Sequence, residues 1–221
     1  MLWFYERAVP QNIHQAEAVM IEILVGLQNE HRYLARIADL LSTRSGAVLP
    51  PDTADLTLLT DTVYYLTHFP DVFHHPREDV LAGWLEGRGV LSKVLLNTLA
   101  SQHQELTVQG RDLLRDLESL LRVETETWAG LAPRLHAYAD ALRLNMAAEE
   151  ECLLPVAFAE AAEAPRSLVA ELASRREADP LLRQTDDRFT QLRAVIVAEA
   201  GCTCDQKPIV ASGSDTEGNL K

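Results

Sequence analysis

The stretch that decides the fold is LLNTLASQHQELTVQGRDLLRDLESLL, residues 95–121. Its apolar residues recur every three or four positions, which is the period of one face of an α-helix. A histidine, His103, interrupts this series at a position where leucine would be expected. The remaining members of the face are Leu96, Leu99, Leu106, Gly110, Leu113, Leu117 and Leu120. The stretch therefore predicts an amphipathic helix that carries one imidazole in its apolar face.

Three further segments show the same period, over about residues 15–42, 56–85 and 127–158. Each of them also has metal-ligand side chains at positions where the period predicts buried leucines. The second segment is interrupted at Pro70, where a proline kinks or breaks a helix, and its apolar face then resumes. Over the four faces, the polar residues are His31, His74, Glu78, His103, Asn145 and Glu149.

Four amphipathic helices of this kind predict an all-α fold, an antiparallel up-down four-helix bundle with an additional C-terminal helical segment. We expect the bundle to occupy residues 1–160 and a helical extension to occupy residues 161–200. The tail, residues 201–221, has no periodicity and is predicted to be disordered. Three apolar residues of the extension are spaced to pack on the bundle: Phe189, Leu192 and Ile196.

Composition limits the classes of partner and the cellular setting. A formal net charge of −13 repels phosphates, so neither nucleic acid nor an anionic membrane is an expected partner. No apolar run approaches the roughly 18–20 residues that span a bilayer, and the N-terminus does not resemble a signal peptide. Cys152 lies on an apolar face and is predicted to be buried, whereas Cys202 and Cys204 form a C-x-C pair in the tail. Three cysteines do not make a disulfide framework, so a reducing cytoplasm is the simplest setting.

The chemistry of these polar residues predicts a metal site in the core. Residues four apart, such as His74 and Glu78, lie on one helix face and can bind one ion together. A buried carboxylate without a cation costs several kcal/mol, so Glu78 and Glu149 need compensation. A single histidine in a core is usually a hydrogen-bonded structural residue, but a wholly structural polar core would need a partner for every one of these groups. Imidazole and carboxylate together suit iron and other transition metals.

The second segment leaves two registers open, because the proline disturbs its geometry. His75 and Asp79 are also spaced by four and form a rival pair to His74 and Glu78. Continuing the His74 register leads to leucines, and we therefore expect His74 and Glu78 to face inward. His75 and Asp79 would then lie behind the ligands or at the rim of the site.

Four motifs resemble those of the hemerythrin-like HHE cation-binding domain family, over about residues 16–158. The motifs are NEHRYL, HFPDVFHHPREDVL, SQHQEL and NMAAEEECLLP. The second of them is the most specific. The resemblance implies a four-helix bundle that holds a non-heme di-iron centre.

Residue by residue, the resemblance implies that His31 and His74 serve one iron and that His103 serves the other. Glu78 and Glu149 would bridge the two ions. The family has histidine where this chain has Asn145, and an amide oxygen is a weak ligand. The centre would therefore hold one iron, or two with an open position, or the metal would have been lost with the fold retained.

Three functions follow as hypotheses. The leading one is a non-heme iron protein that binds or senses oxygen, nitric oxide or iron itself, with a small diatomic molecule or peroxide as ligand. The second is a peroxide-consuming or oxidase-like iron enzyme at the same centre. The third is a bundle depleted of metal that acts as an interaction or scaffold protein.

Overall fold

The computed structural model describes residues 11–47, 50–122, 127–175 and 187–199. Within these ranges every regular element is helical, as the period of the apolar residues predicts, and there is no strand. None of the described helices is long and apolar enough to cross a membrane. The predictions for residues 1–10 and for the tail, including Cys202 and Cys204, concern residues outside the described ranges.

The first half of the fold consists of one long helix and one interrupted helix. Helix α1 is longer than the sequence period predicts. The following helix begins after Asp52, whose carboxylate accepts a hydrogen bond from the backbone N–H of Asp55 and so caps the first turn. A π-turn containing Pro70 separates its two parts. The elements are α1 (Gln11–Ser45), α2 (Thr53–His68), the π-turn Pro70–His74 and α3 (His75–Gly87).

The second half repeats this arrangement with a regular helix and a second interrupted one. Ser92 and Thr127 accept hydrogen bonds from backbone N–H groups of the first turns and cap the two helices. A second π-turn lies near the end of the interrupted helix and begins at Glu149. The elements are α4 (Lys93–Leu121), α5 (Trp128–Ala148), the π-turn Glu149–Leu153 and α6 (Leu154–Ala159).

The long helices pack in antiparallel pairs. On α1 and α5, Arg143 binds Asp39 near one end, while His31 meets Glu150 farther along in the opposite chain direction. On α4 and α5, Gln102 lies beside Asn145 and Asp116 binds Arg134, again in opposite directions. The described helices therefore form a helical bundle, as the amphipathic pattern predicts.

The apolar interior is divided into two clusters by a layer of polar side chains. Each long or interrupted helix contributes apolar residues to both clusters, and the polar residues lie near the boundary between them. Leu27 and Leu34 flank His31, and Leu99 and Leu106 flank His103. On the interrupted helices, Leu66 and Leu81 flank His74 and Glu78, and Met146 and Leu153 flank Glu149. The fold therefore encloses a polar layer between two apolar regions.

The C-terminal extension packs on the bundle. Its described elements are the 3₁₀ turn Ala161–Glu163, α7 (Arg166–Ser174), the 3₁₀ turn Asp187–Phe189 and α8 (Thr190–Glu199). Phe189 lies in a group of aromatic rings with Tyr65 and Phe69, at centroid distances of 5.8 and 5.9 Å. Arg188 binds Asp61 beside it. The predicted burial of Phe189, Leu192 and Ile196 is confirmed.

The predicted burial of Cys152 is wrong, because this cysteine is exposed. A regular α-helix would carry the apolar face from Glu149 to Cys152 and Val156. The π-turn holds one additional residue and shifts the face by one position, so that Leu153 and Ala157 are buried instead.

Candidate metal centre

Six polar side chains meet in the layer between the two apolar clusters. His74 is the last residue of the first π-turn, and Glu149 is the first residue of the second. Glu78 lies one helical turn beyond His74, in α3. All six are at most 5% exposed. They are His31, His74, Glu78, His103, Asn145 and Glu149.

One side of the layer, which we call the His31 side, is formed by His31 and His74 together with the two glutamates. The Nε2 atom of His31 lies 3.0 Å from Oε1 of Glu78 and 3.4 Å from Oε2 of Glu149. The Nε2 atom of His74 lies 3.3 Å from the same Oε1 of Glu78. One ligand atom from each of these four residues lies within 4.8 Å of all the others. This set could hold one metal ion.

The other side, which we call the His103 side, is formed by His103 and Asn145 with the same glutamates. The Nε2 atom of His103 lies 2.7 Å from Oε1 of Glu149 and 3.8 Å from Oε2 of Glu78. The side-chain N–H of Asn145 donates a hydrogen bond of 2.9 Å to Oε1 of Glu149. Asn145 thus lies at the predicted position, but it presents a donor rather than an oxygen.

Each of the three imidazoles is also bound through its Nδ1 atom to a carboxylate outside the layer. His31 Nδ1 lies 3.2 Å from Glu150, and His103 Nδ1 lies 2.9 Å from Asp79. His74 Nδ1 lies 2.6 Å from Glu30, which also binds the guanidinium of Arg77. A carboxylate on Nδ1 orients the ring and directs Nε2 inward, as it does for histidines that bind metals.

The carboxylates control the charge of the imidazoles. Burial alone would lower the pKa of His31, but contacts with Glu149 and Glu78 raise it to about 10. Burial likewise opposes the rise in the pKa of His103, which Asp79 and Glu149 bring to about 10. Burial would raise the pKa of Glu78, yet the adjacent His74 and His31 hold it well below its usual value. Without a metal, protonated imidazoles thus compensate the buried carboxylates.

The layer also has polar atoms that are suited to a cation. Three buried atoms of the four-residue set lack a hydrogen-bond partner among the described residues: His74 Nε2, Glu78 Oε2 and Glu149 Oε2. Such atoms are costly to leave unsatisfied. Nitrogen and carboxylate oxygen are donors that iron and zinc accept, so the residues present fit a divalent ion on the His31 side.

A second group of buried polar residues lies beside the His103 side. His75 is buried with its ring nearly parallel to that of His103, at a centroid distance of 4.4 Å. Its Nδ1 atom lies 3.2 Å from Oδ1 of the buried Asp71. Burial and the nearby charge of Asp71 raise the pKa of Tyr138 well above its usual value. The sequence predicted that His75 would lie behind the ligands or at the rim, and it lies behind them.

The rival residue Asp79 lies at the edge of the layer, where it is about half exposed and contacts His103. Two other histidines, His68 and His136, are exposed. Glu30 and Arg77 were not singled out from the sequence, because both lie one position away from a ligand and outside the apolar face. The available signal was an acidic residue next to His31, Glu78 and Glu149 in the sequence.

Comparison with protein families gives one match. The family model described as "Hemerythrin; Hemerythrin HHE cation binding domain" matches residues 23–157, more than half of the chain. The matched range contains every residue of the polar layer. No curated protein and no solved structure matches the chain.

Proposed function

Because the chain belongs to the hemerythrin HHE cation-binding domain family, we propose that it binds non-heme iron in the polar layer and uses it to bind a small molecule such as oxygen or nitric oxide. The observation that carries this proposal is the convergence of His31, His74, Glu78 and Glu149, with ligand atoms within 4.8 Å of one another. The same four residues are buried. Each of them lies on a different helical turn.

The charge of this set favours a divalent ion. Glu78 and Glu149 together supply two negative charges in a buried layer, which balance the charge of ferrous iron when the imidazoles are neutral. Binding therefore requires His31 and His74 to release the protons that they hold in the metal-free protein. The outer carboxylates of Glu30 and Glu150 keep both rings oriented after that release.

The residues of the layer do not supply every ligand that a metal ion can bind, so an external molecule can supply one. Asn145 stands where the family has an imidazole, and its N–H group faces Glu149 rather than offering an oxygen. Ferrous iron held by His31, His74, Glu78 and Glu149 would supply Lewis-acid binding of a small neutral molecule. The apolar clusters above and below the layer favour a small, uncharged ligand over a charged one.

Anaerobic loading with ferrous iron tests the proposal, followed by nitric oxide and measurement of the electron paramagnetic resonance spectrum. We expect stoichiometric iron and a new iron–nitrosyl signal. His74→Ala should lose both, whereas His136→Ala, which removes an exposed imidazole, should keep both. Iron that binds equally well to the His74→Ala protein, or an absence of iron in the wild type, would contradict the proposal.

A further inference from the structure

We infer that the polar layer contains two unequal metal positions, a tight one on the His31 side and a much weaker one on the His103 side, and that Asn145 causes the difference. The inference rests on the proposed metal binding and adds the number of ions and their order. It differs from the paired irons that membership of the family implies.

The two glutamates do not favour either side, because each divides its oxygens between them. Glu78 directs Oε1 to His31 and His74, at 3.0 and 3.3 Å, and Oε2 to His103 at 3.8 Å. Glu149 directs Oε2 to His31 at 3.4 Å and Oε1 to His103 at 2.7 Å. Each side thus has one oxygen from each carboxylate, and the sides differ only in their other ligands.

Asn145 does not complete the His103 side. Its Nδ2 atom faces two acceptors, Oε1 of Glu149 at 2.9 Å and Oε1 of Gln102 at 3.5 Å. Carboxylate and amide oxygens only accept hydrogen bonds, so the amide must turn its N–H groups toward them. If the amide were turned around, the side-chain oxygen of Asn145 would face the Oε1 atoms of Glu149 and Gln102, and these oxygens would repel one another. The side chain therefore binds Glu149 and competes with a metal for the same carboxylate oxygen.

Among the described residues, neither His75 nor Glu150 replaces the missing imidazole. The His75 ring is nearly parallel to the His103 ring, with an interplanar angle of 9°, and lone pairs in parallel ring planes do not converge on one ion. Glu150 is bound to Nδ1 of His31, on the other side of the layer. The His31 side therefore has two imidazoles and two carboxylate oxygens, and the His103 side has one imidazole and two carboxylate oxygens.

This difference predicts stepwise loading. Loss of an outer hydrogen-bond partner typically costs about 10–100-fold in metal affinity, and a missing ligand costs at least as much. We therefore expect the two positions to differ by about 10–100-fold or more in affinity. The protein then holds one ion when free metal is scarce and accepts a second only when metal is abundant.

The test is an anaerobic calorimetric titration of the metal-free protein with ferrous iron, repeated with zinc as a redox-inert probe. The wild type should show two steps whose affinities differ by about 10–100-fold or more. Asn145→His should bring the second step close to the first. Asn97→His, which adds an imidazole on the exposed face of α4, should leave both steps unchanged.

Two further variants keep the test decisive. Asn145→Asp has nearly the volume of the wild-type residue and supplies a carboxylate oxygen, so it should tighten the second step even if the histidine variant folds poorly. Asn145→Leu removes the hydrogen-bond donor without adding a ligand and should leave the second step weak.

The outcomes separate the inference from the function on which it rests. Two equally tight steps in the wild type, or a second step that neither Asn145→His nor Asn145→Asp tightens, would overturn the inference alone. A wild-type protein that binds neither ferrous iron nor zinc would overturn the proposed function as well.

Discussion

The two sides of the polar layer differ far less in architecture than in ligands. Both share Glu78 and Glu149, both lie between the same two apolar clusters, and both have an imidazole held from behind by a carboxylate. One side chain, Asn145 in place of an imidazole, separates them. If the proposed metal positions are correct, the number of available donor atoms, rather than burial and enclosure alone, decides where a metal binds.

The sides also differ in how firmly their imidazoles are held. On the His31 side, Glu30 binds both His74 and the buried Arg77, whose own side chain binds the backbone oxygen of Phe73. On the His103 side, the outer carboxylate is Asp79, which is 46% exposed. The His31 side therefore contains the best-anchored imidazole, that of His74, whereas Glu150 behind His31 is 49% exposed, much as Asp79 is.

Removal of the shared carboxylate charge should have the largest effect on both sides. We expect Glu78→Gln to lower the affinity for the first ion by more than about 100-fold, because the amide has one weak oxygen donor and no charge. Glu78 contacts His31 and His74 and faces His103. Metal analysis after dialysis against a fixed chelator concentration measures the change.

The control for this experiment is Glu151→Gln, since Glu151 is an exposed glutamate in the second π-turn. It should retain the metal content of the wild type. Equal metal content in the Glu78 and Glu151 variants would show that Glu78 is not a ligand.

Substitutions of the outer carboxylates should change the metal affinity of one side at a time. Glu30→Gln should weaken the first ion by about 10–100-fold, because it releases Nδ1 of His74. Asp79→Asn should leave the first ion nearly unchanged and affect only the second, because Asp79 holds His103. Competition with a coloured chelator provides both values. If Asp79→Asn weakened the first ion as much as Glu30→Gln does, the division into two sides would be incorrect.

The pH dependence of the metal-free protein is a third test of the comparison. The pKa values of His31 and His103 are raised to about 10 in the folded state, from about 6.5 in the unfolded chain. Their contribution to stability is therefore complete below about pH 6.5 and is lost as the pH rises toward about 10. Each group changes the free energy of unfolding by at most about 1.4 kcal/mol per pH unit.

Urea denaturation of the metal-free protein across this pH range measures that loss. Saturating zinc should flatten the profile, because a bound metal replaces the protons on the ligand imidazoles. Stability that rises with pH in the metal-free protein would contradict the assignment of charged imidazoles to the layer.

The smallest expected effect is a change in the free energy of unfolding, and it comes from the close packing around Gly110. A Cβ atom on Gly110 would lie 2.8 Å from Cγ2 of Thr67 and 2.9 Å from the hydroxyl oxygen of Tyr138. Gly110→Ala should therefore destabilise the protein by about 1–3 kcal/mol, less the gain in helix propensity. Gly83→Ala, where no heavy atom lies within 4 Å, should stabilise it by up to about 1 kcal/mol. Thermal unfolding of the two variants supplies the comparison, and equal midpoints would contradict it.

The sequence predicts the helices and the polar layer well, because both depend on a period that local residues determine. Leucines three and four apart identify each buried face, and a histidine or glutamate in such a face must lie in the core. Asn145 could be recognised as a departure for the same reason.

The contacts across the layer could not be predicted in this way. The binding of Glu30 by Arg77, and the burial of His75 against His103, depend on how separate helices meet. The period also fails wherever the helix changes its pitch, which is why Cys152 was assigned to the wrong face.

The two π-turns have a consequence for the alignment of related sequences. Each turn holds one residue more than a regular α-helical turn, so the helix beyond it is rotated by about 100° relative to an uninterrupted one. A relative whose helix is regular at this place requires a one-residue gap between Glu149 and Leu153. If such a relative is aligned without the gap, its buried core residue is matched to the exposed Cys152. The residue that is structurally equivalent to it, Leu153, is then missed.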